Sequence, residues 1–443
     1  MPEGISTGAP TGADRPAAGR APGRARTATL VVFLGHALLF ASWTAHIPQV
    51  KAHLGLTDAR LGLALFGAPM GSLAAMLVTG RLLVRFGSRR MVQATLLGYC
   101  LTGVGVGLAS TQFQLFAALA LWGVFLGALD VSMNTQAIVV ERTLGRPVMS
   151  GFHGAWSLGG FAGAGLGALA VARGLSLSAQ LLVLGLLAAA GAGAASTQML
   201  SDPPHSPPPP PAGAKRSRRP FGVLRNPVVL ILGAVALACM LCEGAAADWS
   251  AVYLHDSLRT TPAVAGLGYA AFSATMVAFR LTGDRLLIRV PKRTLLPALA
   301  AVATVGFGAA LLVRTPWAGL VGFGCLGAGV ALVIPSAMSA AGRLPGVHAA
   351  TAVAAVSALG WIGFVGGPPL IGHLAEAISL PATLALLPLL TAVIAIAIRT
   401  TRAFGGAVGG AVDGAVGDAV DGAGGGAGGG AGGGALSSSS PSD

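Results

Sequence analysis

The chain is short of charge. Asp, Glu, Lys and Arg make up 10% of its 443 residues, where a water-soluble domain carries roughly a quarter. A soluble core of this length has no room for an apolar fraction of 54%, so an ordinary globular enzyme is excluded. Cysteine is scarce as well. Cys100, Cys239, Cys242 and Cys325 all fall inside apolar stretches, which excludes a disulfide framework. Cys239 and Cys242 have C-x-x-C spacing, but they lie on an apolar helix with no second pair, so neither zinc nor redox chemistry is read there. No Gly-x-x-x-x-Gly-Lys-Ser/Thr sequence is present, which argues against ATP-driven work. No Ser/His/Asp arrangement is evident, since the few His lie on separate stretches. The chain is not read as an enzyme, and no cofactor or metal is expected.

Long apolar runs are abundant. Twelve of them, at about 27–50, 59–80, 91–110, 113–137, 149–172, 176–198, 228–254, 261–283, 294–313, 316–341, 348–374 and 380–400, each hold roughly the 20 residues that a helix needs to cross a bilayer. The mean hydropathy of +0.75 and the 67 Gly fit helices packed closely in lipid. The expected fold is all-α and integral to the membrane: twelve transmembrane helices in two pseudo-symmetric six-helix bundles, residues 27–198 and 228–402. Residues 1–26 read as a disordered arm. Residues 199–227, with the run Pro207–Pro211 and the cluster Lys215, Arg216, Arg218 and Arg219, read as a semi-rigid linker. The Gly/Ala-rich tail 403–443 lacks the apolar mass to fold.

The two sets of six repeat. Arg81-Leu82-Leu83-Val84-Arg85-Phe86-Gly87-Ser88-Arg89 returns as Arg285-Leu286-Leu287-Ile288-Arg289-Val290-Pro291-Lys292-Arg293, at an offset of 204. The same offset superposes Gly159 on Gly363, Gly163 on Gly367 and Leu166 on Leu370. A duplicated six-helix unit is the architecture of a secondary transporter, with solute held between the halves.

Placed on the twelve spans, the basic residues are one-sided. Of 28 Lys and Arg, only Lys51, Arg60, Arg173, Arg259 and Arg314 fall on the side away from the termini. By the positive-inside rule both termini and the linker are expected in the cytoplasm, with the chain spanning the plasma (inner) membrane. The basic charge therefore sets topology, and nucleic acid is not an expected partner. The partners expected are the lipid bilayer, a small solute and protons, with the chain acting as a monomer.

Gly80-Arg81-Leu82-Leu83-Val84-Arg85-Phe86-Gly87-Ser88-Arg89-Arg90 resembles the helix 2–3 motif of the major facilitator superfamily. Gly80, Arg85, Gly87, Arg89 and Arg90 match it, whereas Val84 stands where the family places Asp. The second copy carries Asp284, Arg285 and Arg289. The resemblance implies gating roles for these residues, and Val84 removes one carboxylate from that network. Asp130-Val131-Ser132-Met133-Asn134, Glu141-Arg142, Gly145-Arg146 and Ser150-Gly151-Phe152-His153-Gly154-Ala155-Trp156-Ser157 extend it. With Glu243 to Ser250, the chain looks like a little-characterised inner-membrane branch near the fucose–proton symporters. Glu141 and Arg146 match family positions in the cytoplasmic gate. The resemblance covers residues 27–402.

Charges inside the membrane are costly, about 3 kcal/mol or more each at mid-span, so they mark the chemistry. Asp130 and Asn134 are four residues apart and share a helix face. Glu243 sits near the middle of span 7. In the family fold, spans 1, 4, 7 and 10 line the cavity, so Asp130 and Glu243 are expected to face it from opposite halves. A carboxylate in a partly dry cavity can load and release a proton near neutral pH. His153, near one end of span 5, and His36, in span 1, are further candidates for handling protons or substrate. Asp248, some 140° round the helix from Glu243, is expected to point elsewhere. Arg280 and Asp284 read as an i,i+4 structural pair. Trp43, His46 and Trp249 read as an interfacial belt.

Span 5 carries Gly159, Gly160, Gly163, Gly165 and Gly167 but has Ala164 where proton antiporters for drugs carry proline. The expectation is a proton-coupled carrier of a small polar, sugar-like solute. The alternatives are efflux of amphipathic or toxic compounds by proton antiport and, in another class, a membrane scaffold or receptor without transport.

Overall fold

The computed structural model describes residues 15–146, 148–201, 220–345, 347 and 349–404. The proline run, the basic cluster of the linker and the tail from Gly405 lie outside them. All regular structure among the described residues is helical. The long helices are α1 (Arg15–Thr44), α2 (Asp58–Phe86, broken at Phe66), α3 (Ser88–Val106), α4 (Gln112–Leu144), α5 (Met149–Ala172) and α6 (Leu177–Ser196). The second half repeats the series as α7 (Pro227–Val252), α8 (Pro262–Arg289), α9 (Lys292–Val313), α10 (Pro316–Ala341), α11 (Ala349–Ala377) and α12 (Leu380–Thr400). Among the described residues, eleven of these are long and apolar enough to cross a membrane. The exception is α3, whose 19 residues include Arg89 and Arg90 in the first turn.

Helix starts follow from local chemistry. Asn226-Pro227, Thr261-Pro262 and Thr315-Pro316 each place a capping side chain before a proline. The capping oxygen accepts one orphan N–H, and the proline has none to orphan. Thr57, Thr111 and Ser176 cap α2, α4 and α6 in the same way. At the far end of α2, Gly87 takes φ +79 and lets the chain turn directly into α3.

The first span differs from its expected limits at both ends. Helix α1 already begins at Arg15, inside the segment expected to be a disordered arm. It stops at Thr44 rather than near Val50, and a short helix, Ile47–His53, follows with Pro48 in its first turn. The His46 N–H reaches back only to the Trp43 carbonyl at 2.9 Å. That leaves the Ser42 carbonyl to accept from Gln180 Nε2 of α6 at 2.9 Å. The other Gln180 atom, Oε1, meets His46 Nε2 at 2.9 Å. His46, Trp43 and Trp249 are consequently buried in the bundle (3%, 2% and 0% exposed) and form no interfacial belt.

Within each half, two helices mesh backbone to backbone. A Cβ added at Gly159, Gly163 or Gly167 of α5 would strike the carbonyl oxygens of Leu34, Leu38 and Ser42 on α1. In the second half, one added at Gly363 of α11 would strike the Leu237 carbonyl of α7. Gly363 is the repeat-related partner of Gly159, so at this position the sequence repeat is also a repeat of packing; Gly367, the partner of Gly163, meets only the Leu241 side chain at 3.9 Å. Lipid is as apolar as leucine, and such close approach, rather than hydrophobic burial, holds the helices together.

The halves meet chiefly at the end that carries Lys51. There Gly62 of α2 abuts the Pro368 carbonyl of α11, Gly372 abuts the Asp58 carbonyl, and Gly266 of α8 sits on Ala45 and Ala168. The opposite, basic end carries Arg81, Arg85, Arg285 and Arg289.

Candidate functional site

A cavity of about 180 Å³ lies between the halves. Its walls come from α1, α2, α4 and α5 on one side and α7, α8 and α11 on the other. Asp130 and Glu243 both line it, as their positions on α4 and α7 lead one to expect. Helix α10 contributes no lining residue; α2, α5, α8 and α11 supply walls that the sequence reading did not assign.

Glu243 is tied into a network. Arg280 of α8 donates from Nη2 to Glu243 Oε1 at 3.4 Å, with the two side chains 22% and 17% exposed. The same guanidinium donates from Nε to the Ala331 carbonyl at 3.3 Å and from Nη1 to Ser157 Oγ of α5 at 3.5 Å. The second of these bonds crosses between the halves. The Ala331 carbonyl is free because its helical donor would be the N–H of Pro335, which proline lacks; α10 breaks at this point. Arg280 thus serves Glu243, while the Asp284 side chain, expected as its i,i+4 partner, lies outside the described residues. Cys239 approaches Glu243 Oε1 from one turn earlier, at 3.8 Å.

Asp130 is placed differently. Asn134 donates from Nδ2 to its carbonyl at 2.8 Å and to its Oδ1 at 3.3 Å, as their shared face predicts. Among the described residues no cation stands within ion-pair distance of Asp130. Asp248 was expected to turn away from Glu243, yet it lines the same cavity. Five residues advance a helix by about 7.5 Å, so a cavity that wraps around α7 meets both side chains at different depths.

His36 is fixed on both ring nitrogens. Trp156 donates from Nε1 to Nδ1 at 3.2 Å, and Nε2 faces the Leu126 carbonyl at 3.3 Å. Those partners select the neutral tautomer with hydrogen on Nε2. Its backbone carbonyl accepts from the Tyr99 hydroxyl at 3.2 Å, and Tyr99 stacks on Trp122 at 5.3 Å. His36 lines the cavity as an orienting residue between α1, α4 and α5. His153 does not line it; its ring is exposed and meets the edge of Phe33 at 5.8 Å.

At the Lys51 end an ionic cluster joins the halves. Lys51 Nζ lies 2.6 Å from Asp58 Oδ1 and 2.6 Å from Asp256 Oδ2, and His255 Nδ1 lies 2.8 Å from Asp256 Oδ1. Nearby, the Ala59 N–H donates to Glu376 Oε2 at 3.0 Å, a carboxylate set at the start of α2 where the helix dipole favours it. Burial alone would lower the Lys51 ammonium, but hydrogen bonds to Asp256 and Asp58, with their charges, outweigh it and hold Lys51 above the ordinary lysine value of 10.5.

The profile of the Major Facilitator Superfamily matches residues 28–257. The chain belongs to this superfamily. An uncharacterized MFS-type transporter of Yersinia pestis is 32% identical over 375 residues, 84% of this chain and 95% of its own. An uncharacterized transporter of Sinorhizobium fredii is 34% identical over 364 residues, 82% of this chain and 94% of its own. The membrane protein MosC of Rhizobium meliloti is 32% identical over 366 residues, 81% and 86% of the two chains. The nucleoside transporter NupG superposes with a TM-score of 0.68 at 14% identity, covering 84% of this chain and 98% of its own. That likeness shows the fold.

Among the described residues of this facilitator, the motif side chains at the basic end form no ion pair. Gly80, Arg85, Arg90, Arg146, Arg285 and Arg289 are exposed, and Arg89 is half-buried. Arg85 packs its guanidinium over the Phe86 ring at 5.2 Å. Glu141 accepts the N–H groups of Val148 and Met149 at 2.8 and 2.9 Å, capping the start of α5. Among the described residues no ion pair joins the halves here. Val84, in the place of the family's Asp, leaves Arg85 without the carboxylate that position normally supplies.

Proposed function

We propose that this chain is a proton-coupled carrier that moves a small solute across the plasma membrane by alternating access, with Asp130 carrying the proton. The observation that supports this is the contrast between two carboxylates in one cavity. Glu243 has Arg280 as a standing counter-ion, whereas Asp130 has a neutral amide for a neighbour. A lone carboxylate in a dry cavity is tolerated when it can be neutral, and neutrality means holding a proton. A group that loads on one side and unloads on the other links the proton gradient to solute movement.

Kinship with the fucose–proton symporters is proposed on the segments Asp130 to Asn134 and Glu243 to Ser250. The sugar-like expectation finds few free hydroxyl partners in the cavity wall. Export of amphipathic compounds by proton antiport is the second reading, favoured by the aromatic lining. The motif arginines and Glu141 are proposed to gate the basic end, which the distribution of Lys and Arg assigns to the cytoplasm. Reporter fusions after Arg402 and within residues 203–219 should both read cytoplasmic; a periplasmic signal from either would overturn that topology.

The deciding experiment is flux into proteoliposomes under an imposed pH gradient. Asp130→Asn should keep solute exchange and abolish accumulation against a gradient. Glu243→Gln should impair both, through Arg280. Intact pH-driven accumulation in Asp130→Asn would leave the proton without this carrier. No flux of any solute in the native protein would favour a scaffold or receptor.

A further inference from the structure

The cavity wall is chemically lopsided. Six of its nineteen lining residues are aromatic: Phe40, Trp43, Trp156, Tyr269, Trp361 and Phe364. The chain as a whole is 6% aromatic, so the rings are concentrated here. Three lining residues are carboxylates, and none is Lys or Arg. Arg280 answers one of the three, Glu243. Among the described residues Asp130 and Asp248 meet no cation. Neutral hydrogen-bonding groups are few, and beyond the Trp43 and Trp361 indole N–H groups most are occupied. Ser72 gives its hydroxyl to the Gly123 carbonyl at 2.9 Å, and both His36 nitrogens are engaged.

These facts discriminate between solute classes. A polyhydroxylated solute could donate to the carboxylates, but the wall offers it few donors, and each buried hydroxyl beyond their reach costs about 1–3 kcal/mol. An anionic solute would face two unanswered carboxylates. A compact cation with an apolar ring suits every wall. Its ring packs on the indoles, and its charge is drawn both to aromatic faces and to a carboxylate.

The two unanswered carboxylates stand at different depths. Asp248 is four residues from the end of α7, Trp43 is next to the end of α1, and Tyr269 is seven residues into α8. All three therefore lie toward the closed Lys51 end. Leu119 is seven residues into α4 and Asp130 eighteen, which puts Asp130 about 16 Å further along that helix. One carboxylate is thus free for the proton while the other faces a bound solute.

We propose that the cavity takes a ring-bearing organic monocation, with Asp248 as its counter-ion and Trp43 and Tyr269 beside the charge. This names the solute class of the carrier proposed above and rests on that reading.

The test uses the purified full chain and isothermal titration at neutral pH. The probes are benzyltrimethylammonium, the neutral 2-methyl-1-phenyl-2-propanol and the anionic 2,2-dimethyl-3-phenylpropanoate, which share a ring and a branched head. The cation should bind at least tenfold more tightly than the alcohol, and the anion should not bind. Asp248→Asn should weaken the cation at least tenfold and leave the alcohol unchanged, while Asp248→Glu keeps most of the preference. Equal affinity for cation and alcohol, or unweakened cation binding in Asp248→Asn, would overturn the proposal. If Asp248→Asn fails to fold, the native cation-to-alcohol ratio decides alone, and a ratio near one overturns it. Proteoliposome uptake of the labelled cation separates the two readings. Selective binding without movement sinks the carrier and leaves the cation site. Protein-dependent movement of the labelled anion as readily as the cation sinks the cation site and leaves the carrier.

Discussion

Lys51 and Asp256 belong to different halves of the chain, yet their side chains meet at 2.6 Å. With Asp58 at the same distance on the other side of the ammonium, the contact is a three-member bridge across the closed end. Partly exposed ion pairs contribute up to about 1 kcal/mol, enough to bias two conformations about fivefold. Lys51→Ala should therefore raise the rate at which an impermeant thiol reagent, added on the Lys51 side, labels a cysteine placed at Ala68 in the cavity wall. The exchange Lys51→Asp with Asp256→Lys should restore part of the protection. A labelling rate unchanged by Lys51→Ala would remove the bridge from gating.

The same bridge has a pH signature. Lys51 is held above 10.5, so its cation is present at all lower pH and is lost as pH rises through the raised value. Its carboxylate partners are Asp58 and Asp256, and His255 faces Asp256. Because the thiol itself ionises near pH 8.5, the readout is the labelling rate of the Ala68 cysteine divided by its rate in Lys51→Ala at the same pH. That ratio should stay below one from neutral pH to about 10 and approach one above 10.5; a ratio that already reaches one near pH 8 would mean that another group controls the closed end.

Arg280 and Glu243 should behave as a unit. Arg280→Gln strands a carboxylate and frees the Ala331 carbonyl, with an expected loss on the order of 2 kcal/mol. Glu243→Gln added to it should recover more than half of the fall in melting temperature. Additive losses in the double variant would show that the pair is not coupled.

Two glycines of α5 provide a matched comparison. Gly163→Val would drive a side chain into the Leu38 carbonyl, while at Gly165 an added Cβ meets nothing within 4 Å. The first substitution should cost about 1–3 kcal/mol and the second far less, read as melting temperatures in the same detergent. Equal effects would mean that α1 and α5 tolerate separation.

Fold and site differed in how far the sequence revealed them. Apolar length exposed the twelve helices directly, because a bilayer demands about 20 residues of each. The duplicated Arg81 and Arg285 segments showed the halves, and the packing at Gly159 and Gly363 follows the same offset. Carboxylates in mid-span pointed to the cavity for the same energetic reason. Angular reasoning on one helix misplaced Asp248, since it treats a cavity as a stripe and ignores its wrap around α7. Arg280 was hidden because its nearest sequence carboxylate, Asp284, offered an adequate local partner. The signal that would have redirected it was Pro335, which leaves Ala331 without a donor on a neighbouring helix. Trp43 was missed because an aromatic near a span end reads equally well as facing lipid.

The meshing of α5 on α1 and of α11 on α7 bears on how force travels. Helices in contact through their main chains have no intervening side chains to rearrange, so each half resists bending under load. A stiff arm cannot absorb a displacement locally. Parting the halves by a few ångströms near Lys51 must therefore swing the arginine-bearing termini of α2 and α8, and two labels placed at opposite ends of the molecule should change their spacing in concert.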